Sequence, residues 1–495
     1  MKWSELSQVI NYPLEKARDN DFQVSGVFCN SKEVIPNGIF VAVQGNKEDG
    51  AKYIEEALRY GAKVILTRKR STPLLGDKSV IWIETEDERV ALARLACAFY
   101  GYPANKLEVI GVTGTNGKTT VTYLMEAVLK AIGQKCGVIG TVNYRFGQIS
   151  LTSTNTTPGP LQLQEILAKM VDSSVKYCVM EVSSHALAQK RVEGIDFKSA
   201  IFTNLSHEHL DYHKSIEEYF NAKAQLFVNL STEAFAIINN DDSFGQRLTR
   251  MTKAKIIRYG IDNDAEVRAS DIQLGVKKTE FTVEFFGQKK RFFTCLIGKH
   301  NIYNILAVYS WLIAKGLSIK VMDEVLTNFQ FVPGRLQPVS DKEPFAVFVD
   351  YAHTDAALEA VLNSLRKLTK GRLIVVFGCG GDRDKTKRPK MGRVATEIAD
   401  KVIITTDNPR SEDPQEIIND ILKGITSNNF SVIIDRQQAI AKAIEIAQEK
   451  DVILIAGKGH ENYQIYKDKI IPFNDCEVAK RCLLSRNCLL QPQGN

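Results

Sequence analysis

The sequence predicts an α/β protein of three domains, and three observations carry that reading. Its 495 residues correspond to about three domains at roughly 150 residues each. Hydrophobic residues make up 44% and charged residues 25%, ordinary values for a chain that buries cores. Short apolar runs alternate with longer helical patterns over most of the chain, as in parallel strands joined through helices.

The first block, residues 1–104, has apolar runs at 38–43, 63–67 and 80–83 and helical patterns at 51–60 and 87–100. This reads as a small N-terminal α/β domain, closed by the Tyr102-Pro103 dipeptide, a turn signal. The second block, residues 105–334, opens with an apolar run at 107–112, a glycine-rich turn and a helical pattern at 118–132. Further strands are expected at 177–182, 199–203 and 234–238, giving a mostly parallel sheet. From about residue 266 to 297 the period changes to two, with Phe281, Val283 and Phe285 alternating with polar residues. Antiparallel hairpins added to the sheet are expected there, followed by helices at 301–314 and 321–329. Past Pro333-Gly334-Arg335 the third block, residues 335–495, resumes the alternation, with strands at 346–349, 372–377, 401–405, 431–434 and 451–455. It reads as a C-terminal Rossmann-like domain.

Composition excludes several classes. No apolar stretch nears the ~20 residues that span a bilayer, so no membrane insertion is expected. The opening MKWSELSQVINYP has no apolar run before a cleavage site, so no secretory signal is expected either. Nine scattered Cys without a C-x-x-C pair point to reduced thiols and a cytoplasmic location. The net charge of +6 is mild and suits acidic small-molecule ligands better than a nucleic-acid surface. Residues 381–393 concentrate it, with six Lys/Arg against two Asp. None of the seven His precedes His185.

The strongest motif is Gly111-Val-Thr-Gly-Thr-Asn-Gly-Lys-Thr-Thr120, between a strand and a helix. Its glycines let backbone N–H groups of Gly114, Thr115, Asn116 and Gly117 face phosphate oxygens, and the helix N-terminus at Lys118, Thr119 and Thr120 adds a positive dipole. Lys118 would reach the β- and γ-phosphates of a nucleoside triphosphate, and the Thr119 hydroxyl would ligate Mg²⁺. Position 112, where the usual loop has its first glycine, is Val. Two strand ends follow, Glu181-Val-Ser-Ser-His185 and Asn204-Leu-Ser-His-Glu-His209, and then a helix bearing Lys223. Ligands of open α/β sheets sit outside such carboxyl ends.

The G-T-N-G-K-T loop resembles that of the Mur ligases and folylpolyglutamate synthases, ATP-dependent enzymes that form amide bonds. Glu181, His209 and Lys223 match the Mur-ligase patterns E-V-S-S-H, N-[LI]-x-x-D-H-L-D and A-K-x-x-[LI]-[FY], with Glu208 where the family usually has Asp. The resemblance implies that Lys118, Glu181, His209 and Lys223 serve catalysis. It also implies that Thr119, Glu181, His209 and a carbamylated Lys223 hold Mg²⁺. Asn301 and Asn304 then lie near the adenine, Arg335 of P-G-R at the ATP phosphates, and Asp350 and His353 of D-Y-A-H at the nucleotide. ATP would phosphorylate a substrate carboxylate, and an incoming amine would displace phosphate from the acyl phosphate.

Motif order over residues 25–475 resembles the branch of that family that adds meso-diaminopimelate to UDP-N-acetylmuramoyl-L-Ala-D-Glu. Ser31, Gln44, Asn155, Thr156, Thr157, Ser183, Gln189 and Arg191 match that branch's contacts to the muramoyl dipeptide. Asp407, Asn408, Pro409 and Arg410, with Arg383, Gly457 and Glu461, match its contacts to the amino acid. The chemistry suits them. Meso-diaminopimelate has a distal carboxylate that lysine lacks, and arginine offers a planar fork for it. A monomer acting on small molecules is expected. A lysine-adding or folylpolyglutamate-type ligase, a nucleotide switch or motor, and a non-catalytic sensor of wall precursors are the competing readings.

Overall fold

The computed structural model describes residues 1–45, 48–68, 79–206, 208, 210–340 and 342–490. The chain divides into two compact units, one of residues 1–268 with 304–321 and one of residues 269–303 with 322–495.

The first unit contains two sheets. The N-terminal one is parallel, with strands in the order Val27–Phe28, Gly38–Val41, Ala62–Thr67 and Ile81–Glu84. The helix Glu88–Phe99 begins where Asp87 accepts from the Arg89 and Val90 amides, and it buries Leu92 and Leu95 against Ile39, Val64 and Leu66.

In the larger sheet six strands run parallel. They are ordered Lys255–Gly260, Phe235–Asn239, Ser199–Phe202, Glu108–Thr113, Tyr177–Glu181 and Cys136–Ile139. The three central strands are almost wholly buried because helices cover both faces, which is why they read as continuous apolar runs. Two antiparallel strands, Asn143–Phe146 and Ile149–Thr152, extend the Cys136–Ile139 edge. The alternation of residues 266–297 is not all hairpin. Val267 and Arg268 pair parallel to Tyr259 and Gly260, because a strand of period two fits either ladder.

In the second unit Thr279–Phe285 and Gln288–Thr294 form the expected hairpin. Phe286 and Gly287 both have positive φ, the two-residue turn that matches strand twist. The unit's main sheet is ordered Gln337–Pro338, Ala346–Asp350, Val452–Ala456, Leu373–Phe377, Lys401–Ile404 and Phe430–Val432, parallel except at the first strand. Alternate residues serve opposite faces. Val375, Phe377, Ile404 and Leu454 pack with Leu362, Met391 and Ile421, whereas Ile374, Val376, Ile403 and Ile455 pack with Ile440, Ala443 and Val478. This is a doubly wound layer. A small hairpin, Tyr463–Tyr466 with Lys469–Pro472, and a helix, Asp475–Leu490, follow it without a strong periodic signal in the sequence. No helix among the described residues is long and apolar enough to cross a membrane.

Candidate active site

The glycine-rich loop leaves the strand Glu108–Thr113 at the carboxyl edge of the large sheet and enters the helix Lys118–Ala131. Gly114 and Gly117 have φ of +147° and +89°. A Cβ at Gly114 would collide with the Thr203 hydroxyl, and one at Gly117 with the Asn304 side-chain oxygen. The loop is fastened from the next strand end. Thr115 N donates to Asn204 O (2.8 Å), Asn116 N to Asn204 Oδ1 (3.0 Å), and Thr203 Oγ1 to Asn116 O (2.6 Å). Lys118 Nζ lies over the loop, donating to Gly114 O (2.9 Å) and Thr115 O (2.8 Å). Thr119 and Thr120 are buried at the first turn of the helix.

Glu181 closes the neighbouring strand and is 1% exposed. Its carboxylate accepts from Thr141 twice, from N to Oε1 (3.0 Å) and from Oγ1 to Oε2 (2.9 Å). Thr141 Oγ1 also meets Thr156 Oγ1 at 3.1 Å. Lys223, on the helix Ile216–Val228, is 1% exposed, and its Nζ donates to Gly114 O at 2.8 Å. Burial, with the charge of Lys118 added, holds its ammonium well below the ordinary lysine range, and the Glu208 charge opposes this. The ring of Tyr219 lies 4.6 Å from Lys223 Nζ, and its hydroxyl is 3.2 Å from Thr115 Oγ1. His209 lies outside the described residues, as does His207. His213 is buried in a ring cluster with His185, Tyr212 and Tyr219. Among the described residues no three His, Cys, Asp or Glu side chains converge as a metal group.

The muramoyl-dipeptide set gathers at the same edge, apart from its two N-terminal members. Thr157 Oγ1 donates to Glu181 O (2.8 Å) and accepts from Ser183 N (3.0 Å). Ser183 Oγ caps the helix Ser184–Ala188. Arg191 donates to Thr157 O (2.8 Å) and, through Nε and Nη2, to Gln189 Oε1. Asn155 is anchored by Tyr144, whose hydroxyl donates to its carbonyl at 2.5 Å. Ser31 and Gln44 lie on the small sheet's domain instead. Ser31 Oγ donates to Glu56 (2.5 Å), and the Gln44 backbone is held by Glu88 and Arg89.

In the second unit two further clusters form. Buried Asp350 accepts from Leu336 N (2.7 Å) and Ala352 N (2.8 Å). Arg335 lies 5.1 Å from the Tyr351 ring, and His353 Nδ1 is 2.8 Å from Tyr351 O. Burial raises the Asp350 carboxyl above its ordinary range, opposed by the Arg335 charge. Asn301 Nδ2 donates to Ile297 O (2.8 Å).

The other cluster brings Asp407–Arg410 to Glu461. Asn408 Nδ2 donates to Glu461 Oε2 (2.8 Å), and Arg410 Nη1 donates to Gly381 O (2.8 Å). Gly457 has φ +114°, and a Cβ there would press on Asp407 Oδ2 at 2.7 Å. Arg383 is exposed, beside Gly380. Part of the positive run at 381–393 is met internally, at Lys385 and Arg388. Buried Arg388 forks onto Glu412 (2.8 and 2.9 Å) and reaches Asp420 (3.0 Å).

Thr141, Tyr144, Tyr219, Arg388 and Lys458 hold these clusters together and were not singled out in the sequence. Lys458 sits inside the Gly-Lys-Gly-His-Glu461 motif, so its position carried a signal. The others reach their partners from elsewhere in the chain.

Fold and site together define a P-loop-type nucleotide protein with an appended Rossmann-like layer. Comparison with known proteins is specific. Residues 23–100 match the model described as Mur ligase family, catalytic domain, residues 112–312 the Mur ligase middle domain, and residues 334–459 the Mur ligase, glutamate ligase domain. The chain is 43% identical over 468 residues to the UDP-N-acetylmuramoyl-L-alanyl-D-glutamate--2,6-diaminopimelate ligase of Clostridium botulinum, covering 94% of this chain and 96% of that one. A solved structure of a ligase of that same description is 30% identical, with a TM-score of 0.69, covering 98% of this chain and 99% of that one. The ADP complex of the MurF ligase from Thermotoga maritima shares the fold at 20% identity and a TM-score of 0.59, covering 93% and 96%. The chain belongs to the Mur ligase family.

Proposed function

We propose that the chain is an ATP-dependent ligase that adds meso-diaminopimelate to UDP-N-acetylmuramoyl-L-Ala-D-Glu in the cytoplasm, acting as a monomer on peptidoglycan precursors. The observation that carries this reading is the joining of Asn408 to Glu461 beside Arg410, whose Nε and Nη2 have no protein partner among the described residues. An arginine fork in the Asp407–Arg410 segment and a carboxylate tied to that same segment through Asn408 suit a ligand end bearing both carboxylate and ammonium. In this reading residues 1–104 take the UDP end, 105–334 ATP and 335–495 the amino acid.

The donor chemistry fits Mg²⁺. Thr119 and Glu181 supply hard oxygens, and His209 and Lys223 complete the set we assign to it. A carbamate on Lys223 would turn a buried cation into an anionic oxygen donor, and burial favours the neutral amine that reacts with carbon dioxide. Bound Mg²⁺ would offset charge on the phosphates. The chain does the rest by positioning. The loop N–H groups and the helix N-terminus cradle the phosphates, and Lys118 swings from the loop carbonyls to the β/γ oxygens. Thr157, Ser183, Gln189 and Arg191 orient the dipeptide carboxylate for phosphorylation. The amine of the amino acid then attacks the acyl carbonyl, and phosphate leaves.

ATP-dependent phosphate release with UDP-muramoyl-L-Ala-D-Glu, with and without meso-diaminopimelate, tests the reading. Release that requires both, with L-lysine a far poorer substitute, is expected. ATP turnover without either substrate, or equal use of lysine, overturns it.

A further inference from the structure

Lys458 is fully buried, yet no step above uses it. Its Nζ donates to Glu461 Oε2 (3.0 Å) and to Asn408 Oδ1 (3.1 Å), and its side chain is 0% exposed. Asn408 closes the ring by donating to the same Glu461 Oε2 (2.8 Å), while its own Oδ1 also accepts from Ile465 N (3.0 Å). Glu461 Oε2 thus holds two donors, and Oε1 has no protein partner among the described residues. The side chain of Glu461 is 17% exposed, so the pair runs from a sealed ammonium to a carboxylate that reaches solvent.

We propose that Lys458 is the positioning and specificity residue of the amino-acid subsite, aiming Glu461 Oε1 and cancelling its charge. The inference rests on the function proposed above. A buried ammonium is costly unless paired, so the chain has reason to keep Glu461 in one geometry. With Lys458 present, the Glu461–Lys458 pair is neutral, and Arg410 adds the charge that a ligand carboxylate matches. Without Lys458 the subsite gains one negative charge. That disfavours an end carrying carboxylate and ammonium together, and favours an end carrying ammonium alone, as in lysine.

A double-mutant cycle tests this in the full chain, using Lys458→Met, Glu461→Gln and the pair, with meso-diaminopimelate and L-lysine each varied at saturating ATP and UDP-muramoyl dipeptide. Lys458→Met is expected to raise KM for meso-diaminopimelate roughly 10- to 100-fold, the range for a hydrogen bond to a charged group. The ratio of kcat/KM for the two amino acids should move toward lysine. KM for ATP and for the UDP-muramoyl dipeptide should stay within about twofold. In the Glu461→Gln background the same substitution should change KM by no more than about twofold. Equal effects in both backgrounds, or KM for ATP rising in parallel, overturn the proposal. If Lys458→Met does not fold, Lys458→Gln keeps a donor without the charge and must still shift the preference toward lysine. A wild-type chain that makes no amide with meso-diaminopimelate fails the functional reading and this inference with it. An active wild-type with an additive cycle fails this inference alone.

Discussion

Lys223 Nζ donates to the carbonyl of Gly114, so a buried amine 109 residues along the chain touches the turn of the phosphate loop. The contact places a buried amine beside the glycine-rich loop, where burial holds its ammonium well below the ordinary lysine range. Under the proposed Mg²⁺ assignment, Lys223→Ala is expected to lower turnover by at least about 100-fold. Thermal unfolding should stay cooperative, and added bicarbonate should not restore activity. Near-normal turnover would remove Lys223 from the mechanism.

Thr141 grips both oxygens of the Glu181 carboxylate, one through its backbone N–H and one through its hydroxyl. Thr141→Val keeps the shape and one backbone donor but deletes the hydroxyl. Under the proposed Mg²⁺ assignment of Glu181, activity is expected to fall about 10- to 100-fold. Titration of Mg²⁺ in the assay is the informative measurement, because the variant should need more of it. An unchanged Mg²⁺ requirement would make Thr141 structural only.

Gly117 takes φ of +89°, strained for any other residue, and a Cβ there would also push on the Asn304 side-chain oxygen. Gly117→Ala should displace the loop from the phosphates and reduce kcat/KM for ATP by about 100-fold, the cost of a misplacement near 1 Å. Binding of ADP by calorimetry checks this without turnover, and wild-type affinity would contradict it.

Glu412 responds to acid through Arg388. The Arg388 fork holds its carboxyl down to about 2, from an ordinary value of 4.5. A carboxylate depressed on folding adds stability above its unfolded pKa, and that stability is lost as pH falls through the folded value. The loss should therefore run from about pH 4.5 to pH 2. Chemical denaturation of Glu412→Gln should show lower stability than wild type at pH 6 and a smaller gap at pH 3. A gap that does not shrink with acid would assign the effect to packing.

Fold class and the glycine-rich turn between strand and helix were legible because both rest on local pattern. Strand Glu108–Thr113 is apolar from Val109 to Val112 since helices cover both its faces, and Gly114 and Gly117 are glycine because both take a positive φ. The doubly wound layer of the second unit was legible for the same reason. What could not be read locally was pairing. The parallel start of Val267–Gln273 and the antiparallel Asn143–Thr152 edge depend on which neighbour a strand meets, and a period of two is silent on that. Site residues divide likewise. Glu181, Lys223 and Arg410 carry local signatures, whereas Thr141, Arg388 and the aim of Lys458 exist only as contacts across many residues of chain. Hydrogen bonds between distant side chains leave no periodic trace in a sequence, so folding alone joins Thr141 to Glu181, Arg388 to Glu412, and Lys458 to Asn408 and Glu461.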